Sequence, residues 1–295
     1  MAGTDEPVAV LGLGAMGHGM ATSALRTGIP VIVWDRRIEA TRDLAGRGAQ
    51  VAASAAQAAR QAAIAVTMVT DADAVLSIAA DQGMLAALSP GAIWAQMSTI
   101  GVAGTDAVAA LARAERPDVM LLDAPVSGSK DPAEHGQLTI FASGPAEARS
   151  RIAPLFSALG QRTIWAGETG AGTRLKLVNN TWLAFANEAV AASAALARRL
   201  GLATETVVDA LAGSPLMSPW QAAKLQRIAD GEFSAQFALS LALKDVHLAL
   251  QAAGDGRLDV LACLAREWQH AVDEGLGGQD LTVVTQTIEQ QEGPP

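Results

Sequence analysis

Val8-Ala9-Val10-Leu11-Gly12-Leu13-Gly14-Ala15-Met16-Gly17 is the stretch that decides the fold. Four apolar residues make a buried strand, and the Gly-x-Gly-x-x-Gly run that follows opens a helix. Gly12 makes the tight turn, Gly14 lets the backbone approach a pyrophosphate, and Gly17 lets helix and strand pack closely. Leu13, Ala15 and Met16 complete the loop at a helix N-terminus, whose N–H groups and dipole attract phosphate. The expected ligand is a dinucleotide. A second strand at 31–34 runs into Asp35-Arg36-Arg37. Asp35 stands about where an acid bonds a ribose diol, which favours NAD, whereas Arg36 and Arg37 suit a 2′-phosphate and favour NADP. The two signals oppose each other, with NADP slightly favoured.

Outward from that loop, short β-branched runs at 64–69, 93–96, 120–122 and 138–142 alternate with alanine-rich helical stretches. Alternation of this kind predicts a mostly parallel sheet covered on both faces. Past Gly170 the strand-like runs almost stop, and helical patterns follow at 173–200, 204–212, 220–229, 239–253, 260–274 and 281–290. The expectation is an α/β dinucleotide-binding domain at 1–165 and an all-α domain at 166–295, joined through a long helix. That helix is apolar over much of its surface, which calls for a second subunit to cover it. The end at 291–295 reads as a frayed tail.

The bulk numbers bound the class. The chain has 295 residues, 50% of them hydrophobic and 17% charged, and is too long and too apolar to be disordered. No window of about 18 uninterrupted apolar residues suggests a membrane span. The acidic start Met1-Ala2-Gly3-Thr4-Asp5-Glu6-Pro7 is unlike a secretory signal, so a cytoplasmic protein is expected. A net charge of -9 without a basic run argues against nucleic acid or an anionic membrane as partner. The four histidines and the single cysteine are scattered, so no metal site is expected. Cys263, in an apolar helical context, reads as a small core residue.

Three further segments carry chemistry. Met68-Val69-Thr70-Asp71 and Gln96-Met97-Ser98-Thr99-Ile100 each follow a strand, at the carboxyl edge where such sheets bind ligands. Ser98 and Thr99 fit either cofactor binding or a helix cap. Asp123-Ala124-Pro125-Val126-Ser127-Gly128-Ser129-Lys130 supplies a strand end and a turn of small donors, where backbone N–H groups near Ser127 and Gly128 can hold a carboxylate. In Gly170-Ala171-Gly172-Thr173-Arg174-Leu175-Lys176-Leu177-Val178-Asn179-Asn180, a helix would put Lys176 and Asn180 one turn apart on one face. An ammonium so placed can protonate a nascent alkoxide and stabilise its charge.

Together with Leu243-Lys244-Asp245, these motifs resemble those of the β-hydroxyacid dehydrogenase family. The run from Ser127 to Leu138 is especially similar to its glyoxylate and succinic semialdehyde reductase branch. The resemblance implies a Rossmann-type domain, a helical domain, and a homodimer or dimer-based tetramer built through the helices. It implies an NAD(P)-dependent oxidoreductase acting on a small carboxylate substrate, with a nicotinamide as hydride carrier. By that analogy Lys176 is the general acid/base, Asn180 orients the substrate or the lysine, and Ser127, Gly128 and Asn179 bind the substrate. The glycine loop, Met68, Val69, Thr99 and Lys244 lie by the cofactor. The sequence departs from the pattern at Asp35, where the NADPH-using reductases have asparagine, and at 213–220, which lacks the Lys-Gly-Pro of the glyoxylate reductases. Imine reductases share the architecture but usually lack the lysine, and a non-catalytic cofactor-binding protein is the other alternative.

Overall fold

The computed structural model describes residues 6–290, so the readings of the first five residues and of the tail at 291–295 fall outside the described residues. The chain forms two compact units that meet in sequence at Lys176 and Leu177.

In the first unit the elements run β1 Val8–Leu11, α1 Ala15–Arg26, β2 Val31–Trp34, α2 Arg42–Gly46, β3 Gln50–Val51 and α3 Ala55–Arg60. There follow β4 Ile64–Thr67, α4 Ala72–Leu76, α5 Met84–Ala87, β5 Ile93–Gln96, α6 Gly101–Glu115 and β6 Met120–Asp123. These strands form one six-stranded sheet in the order β3-β2-β1-β4-β5-β6, parallel at every pairing. Strand order reverses between β1 and β4, and ligands bind outside the carboxyl ends of strands at such a switch point. The glycine loop follows β1 directly, so sequence and topology select the same edge.

All four residues of β1 are buried, as are those of β2, β4 and β5. Side chains alternate between two cores, as the pleat requires: Val8 and Val10 face one with Met20 and Ala24 of α1, while Ala9 and Leu11 face the other with Ala55 and Leu85. This double burial is why the strands read as unbroken apolar runs.

The chain then builds β7 Val126–Ser127, α7 Lys130–His135, β8 Leu138–Ala142, α8 Ala148–Leu159 and β9 Gly160–Trp165. Strands β7, β8 and β9 form a separate sheet, antiparallel at β7–β8 and parallel at β8–β9. The 138–142 strand therefore belongs to the smaller sheet.

Helix α9, Ala171–Arg199, crosses from the first unit into the second. The second unit adds α10 Thr204–Leu211, α11 Pro219–Ala229, α12 Leu239–Ala253, α13 Asp259–Asp273 and α14 Val284–Gln290. Each falls within a few residues of the sequence expectation, the usual scatter of helix ends. Ser218 and Gln221 close a capping box at α11, with Pro219 at its first position. Val190, Ala194, Leu225 and Ile228 pack together with Phe233 and Met217. Cys263 corrects the sequence reading: it is exposed, because α13 turns Leu261, Leu264, Ala265 and Trp268 inward and leaves position 263 off that face. Among the described residues, no helix is long and apolar enough to cross a membrane, and no cluster of metal-ligating side chains occurs.

Candidate active site

The glycine loop fits a dinucleotide. Gly12 has φ +95°, and a Cβ there would lie 2.4 Å from the Met68 carbonyl oxygen. A Cβ on Gly17 would lie 1.9 Å from the carbonyl oxygen of Gly12, so α1 rests directly on the turn. At Gly14 the surroundings are the opposite: a Cβ would meet nothing within 4 Å. Gly14 starts α1 without a side-chain cap, and it and Ala15 are exposed. An uncapped helix start beside an open backbone is a place for phosphate oxygens.

Asp35 follows β2 and is turned toward this loop. Its carboxylate accepts the Leu13 N–H at 2.7 Å and the Arg37 N–H at 2.9 Å. The Arg37 guanidinium stays 3.7 Å from the same carboxylate with its side chain 74% exposed, and Arg36 is exposed beside it. Met68 and Val69 are half-buried at the end of β4. The Ser98 hydroxyl accepts the Val69 N–H at 2.8 Å, and the Ser98 N–H bonds the Gln96 side chain at 2.7 Å. Ser98 thus ties the ends of β4 and β5 together, while Ile100 precedes α6 and gives it no side-chain cap. Thr99, between them, is half-buried.

Ser127 ends the short strand β7, opposite Thr139 of β8. Gly128 follows with φ +136°, exposed, where a Cβ would approach Leu138 to 2.7 Å. The turn is therefore pressed against β8 on one side and open on the other.

Lys176 is only 7% exposed. It lies in the second turn of α9, and the first turn is pinned to the sheet. The Asp123 carboxylate, at the end of β6, accepts the Thr173 N–H at 2.8 Å and the Thr173 hydroxyl at 2.7 Å. The Ser143 hydroxyl accepts the Gly172 N–H at 2.9 Å and reaches Asp123 at 3.1 Å. Gly172 is required by close approach, since a Cβ would meet the Phe141 carbonyl oxygen at 2.2 Å. Burial pushes the Asp123 carboxyl up from its ordinary value, against the hydrogen bonds from Thr173 and Ser143 that favour its charge.

Asn180, one turn beyond Lys176, is buried, and its amide donates to Asp245 of α12 at 2.5 Å. Asn179 donates to the Asn180 side-chain oxygen at 3.0 Å. Lys244 pairs with Asp245 at 3.0 Å and lines a groove of about 330 Å³ with Ser240, His247 and Gln251. The second unit therefore brings Asn179, Asn180 and Lys244 together around Asp245. The first unit brings the glycine loop together with Asp35, Met68 and Val69. Sequence reasoning gave no role to Thr173, Ser143, Asp123 or Asp245. The two aspartates stood in quoted motifs, but which neighbours they hold depends on strands and helices far apart in the chain.

A glycine cradle at a sheet's switch point, followed by a helical unit, is the organisation of a nicotinamide-dependent dehydrogenase. Residues 7–167 match the NAD binding domain of 6-phosphogluconate dehydrogenase, and residues 170–288 match the NAD-binding domain of NADP-dependent 3-hydroxyisobutyrate dehydrogenase. The chain belongs to the β-hydroxyacid dehydrogenase family and is an NAD(P)-dependent dehydrogenase or reductase. It is 31% identical to glyoxylate/succinic semialdehyde reductase 1 of Arabidopsis thaliana, over 95% of this chain and 98% of that one. It is 32% identical to 3-sulfolactaldehyde reductase of Escherichia coli, over 95% of each. A crystal structure of 3-hydroxyisobutyrate dehydrogenase from Salmonella typhimurium superposes with a TM-score of 0.86 at 28% identity, covering 96% of this chain and all of that one.

Proposed function

We propose that the enzyme interconverts a small hydroxy acid and the corresponding aldehyde or keto acid, with Lys176 as general acid/base. The bound dinucleotide supplies or accepts the hydride. In the reducing direction the Lys176 Nζ gives a proton to the carbonyl oxygen; in the oxidising direction it takes the hydroxyl proton. Ser127 and the backbone at Gly128 hold the substrate carboxylate, and Asn179 and Asn180 orient the reacting oxygen. The observation that carries this reading is a lysine buried to 7% exposure on a helix anchored at its start. Lysine is rarely buried.

The test is a panel of glyoxylate, succinic semialdehyde, methylmalonate semialdehyde and a cyclic imine, each run with NADH and with NADPH. Turnover of at least one acid carbonyl is expected. Turnover of the imine alone would overturn the carbonyl reading.

For the cofactor, the position of the Asp35 carboxylate turns the slight preference for NADP toward NAD. Leu13 and Arg37 N–H groups hold it in place, where its charge suits a ribose hydroxyl and repels a 2′-phosphate. Asp35→Ala is expected to move the NADPH to NADH ratio of kcat/KM toward NADPH by about tenfold, as about 1.4 kcal/mol of removed repulsion implies. An unchanged ratio would place cofactor choice elsewhere.

We also propose a homodimer, or a dimer-based tetramer, built on α9. Val178, Trp182, Phe185 and Leu196 are exposed along one face of that helix, Trp182 to 80%, with the exposed Leu200 just past its end. With the exposed Ala189 and Ala192 between Phe185 and Leu196, steps of three and four residues make a continuous apolar stripe. Trp182→Asp is expected to yield monomers in light scattering at concentrations where the parent is dimeric.

A further inference from the structure

We propose that the Asp123–Thr173 pair is a positioning device for Lys176, one that sets where its ammonium stands relative to the substrate; the inference rests on the acid/base reading of that lysine. Asp123 is 1% exposed and bears no exposed oxygen role in the chemistry above, yet both carboxylate oxygens are spent on Thr173. A helix needs its first N–H groups satisfied, and an Asp, Ser or Thr within the preceding few residues usually does it. Here the acceptor for Thr173 comes from 50 residues upstream, at the end of a strand. The cap is therefore a tertiary joint between sheet and helix.

Three features make it a positioning joint in particular. First, Thr173 is held through two groups at once, its backbone N–H and its hydroxyl, so both the axial position and the rotation of α9 are specified. Second, the Thr173 hydroxyl also meets the Thr105 hydroxyl of α6 at 3.0 Å. With the Thr173 proton given to Asp123, Thr105 is the donor in that contact, so α6, the helix that follows Thr99, is keyed to the same atom. Third, β6 continues from Asp123 through Ala124 and Pro125 into the Ser127 turn. One buried carboxylate thereby fixes the helix carrying Lys176 against the helix after the Thr99 segment and the strand leading to the carboxylate turn. Lys176 is three residues beyond Thr173, about 4.5 Å along the axis, too short a lever to absorb a shift at the joint. Displacement of a catalytic group by about 1 Å can cost about 100-fold.

Thr173→Ala removes the hydroxyl and keeps the backbone bond, and Thr173→Ser restores the hydroxyl. In Thr173→Ala we expect kcat to fall at least about tenfold. The KM for dinucleotide and its dissociation constant, read by fluorescence, should stay put, the pH limb assigned to Lys176 should move, and amide exchange over 171–176 should quicken. Thr173→Ser should recover the kcat and the limb. Asp123→Ala, which removes both acceptors, should reproduce the Thr173→Ala variant; if either fails to fold, the other decides. The idea is overturned if a folded Thr173→Ala or Asp123→Ala variant keeps parental kcat and pH limb, or if Thr173→Ser fails to recover what Thr173→Ala loses. Failure of the underlying reading looks different: Lys176→Ala would itself turn over, whatever Thr173 variants do.

Discussion

Lys176→Ala is expected to lose about 10³-fold in kcat, within the range of about 10²–10⁴ that a positioned acid/base contributes, while binding dinucleotide as the parent does. The loss should appear in kcat and in kcat/KM alike, because the proton transfer is made in the transition state. The side chain is 7% exposed on a helix anchored at Thr173, so truncation removes the ammonium without releasing the helix. Two controls separate proton transfer from charge. Lys176→Arg retains a cation of similar reach but does not give up its proton near neutral pH, and it should stay near the alanine level. A small primary amine added to Lys176→Ala should restore part of the turnover. Near-parental turnover in the alanine variant, or full activity in the arginine variant, would remove the lysine from the proton-transfer step.

The legible part of this protein is the part whose burial is set locally. Val8 to Leu11, Val31 to Trp34, and Ile93 to Gln96 are buried on both sheet faces, so each announces a strand without reference to any neighbour. The glycine fingerprint was equally plain, since Gly12 and Gly17 answer to contacts with each other and with Met68. Strands β3, β7 and β9 were not legible. The first two have two residues each, and β9 carries the exposed Gln161 and Arg162, so none presents an apolar run. Cys263 was misjudged for a different reason. Its neighbourhood is apolar, but the inward stripe of Leu261, Leu264, Ala265 and Trp268 sets the helix phase, and that stripe excludes it. In the candidate site, Lys176 and Asn180 could be paired from spacing alone. Their supports could not, because Asp123 and Thr173 are 50 residues apart and Asn180 and Asp245 are 65 apart.

The largest stability effect is expected at a pair with no link to the chemistry. Lys224 of α11 and Asp280 are almost fully buried, with Nζ 2.8 and 2.9 Å from the two carboxylate oxygens. Asp280 also accepts the backbone N–H groups of Gln236, Phe237 and Thr282 and the Thr282 hydroxyl, so it gathers the loop after α11 and the turn before α14 onto one carboxylate. Lys224→Met is expected to cost about 3–5 kcal/mol in denaturant unfolding, because it leaves a buried charge without its counterion. Asp280→Ala should cost at least as much. In many buried pairs, replacing both partners by apolar residues is nearly neutral, but here the double variant should remain destabilised, since three backbone N–H groups keep no acceptor. The pH dependence has a definite sign. Burial, the largest single influence, pushes the Asp280 carboxyl up, but the Lys224 hydrogen bond and charge, with the Phe237 and Gln236 N–H groups, together hold it below its ordinary value. A carboxyl depressed in the folded state contributes stability that is present above its unfolded pKa of about 3.9 and is lost as pH falls toward the folded value. Without Lys224, its hydrogen bond and charge no longer hold the carboxyl down and it rises toward its ordinary value, so in Lys224→Met this acid-side loss of stability should weaken. A Lys224→Met variant within about 1 kcal/mol of the parent, as an exposed pair would give, would show that the joint at Asp280 is held by its backbone donors alone.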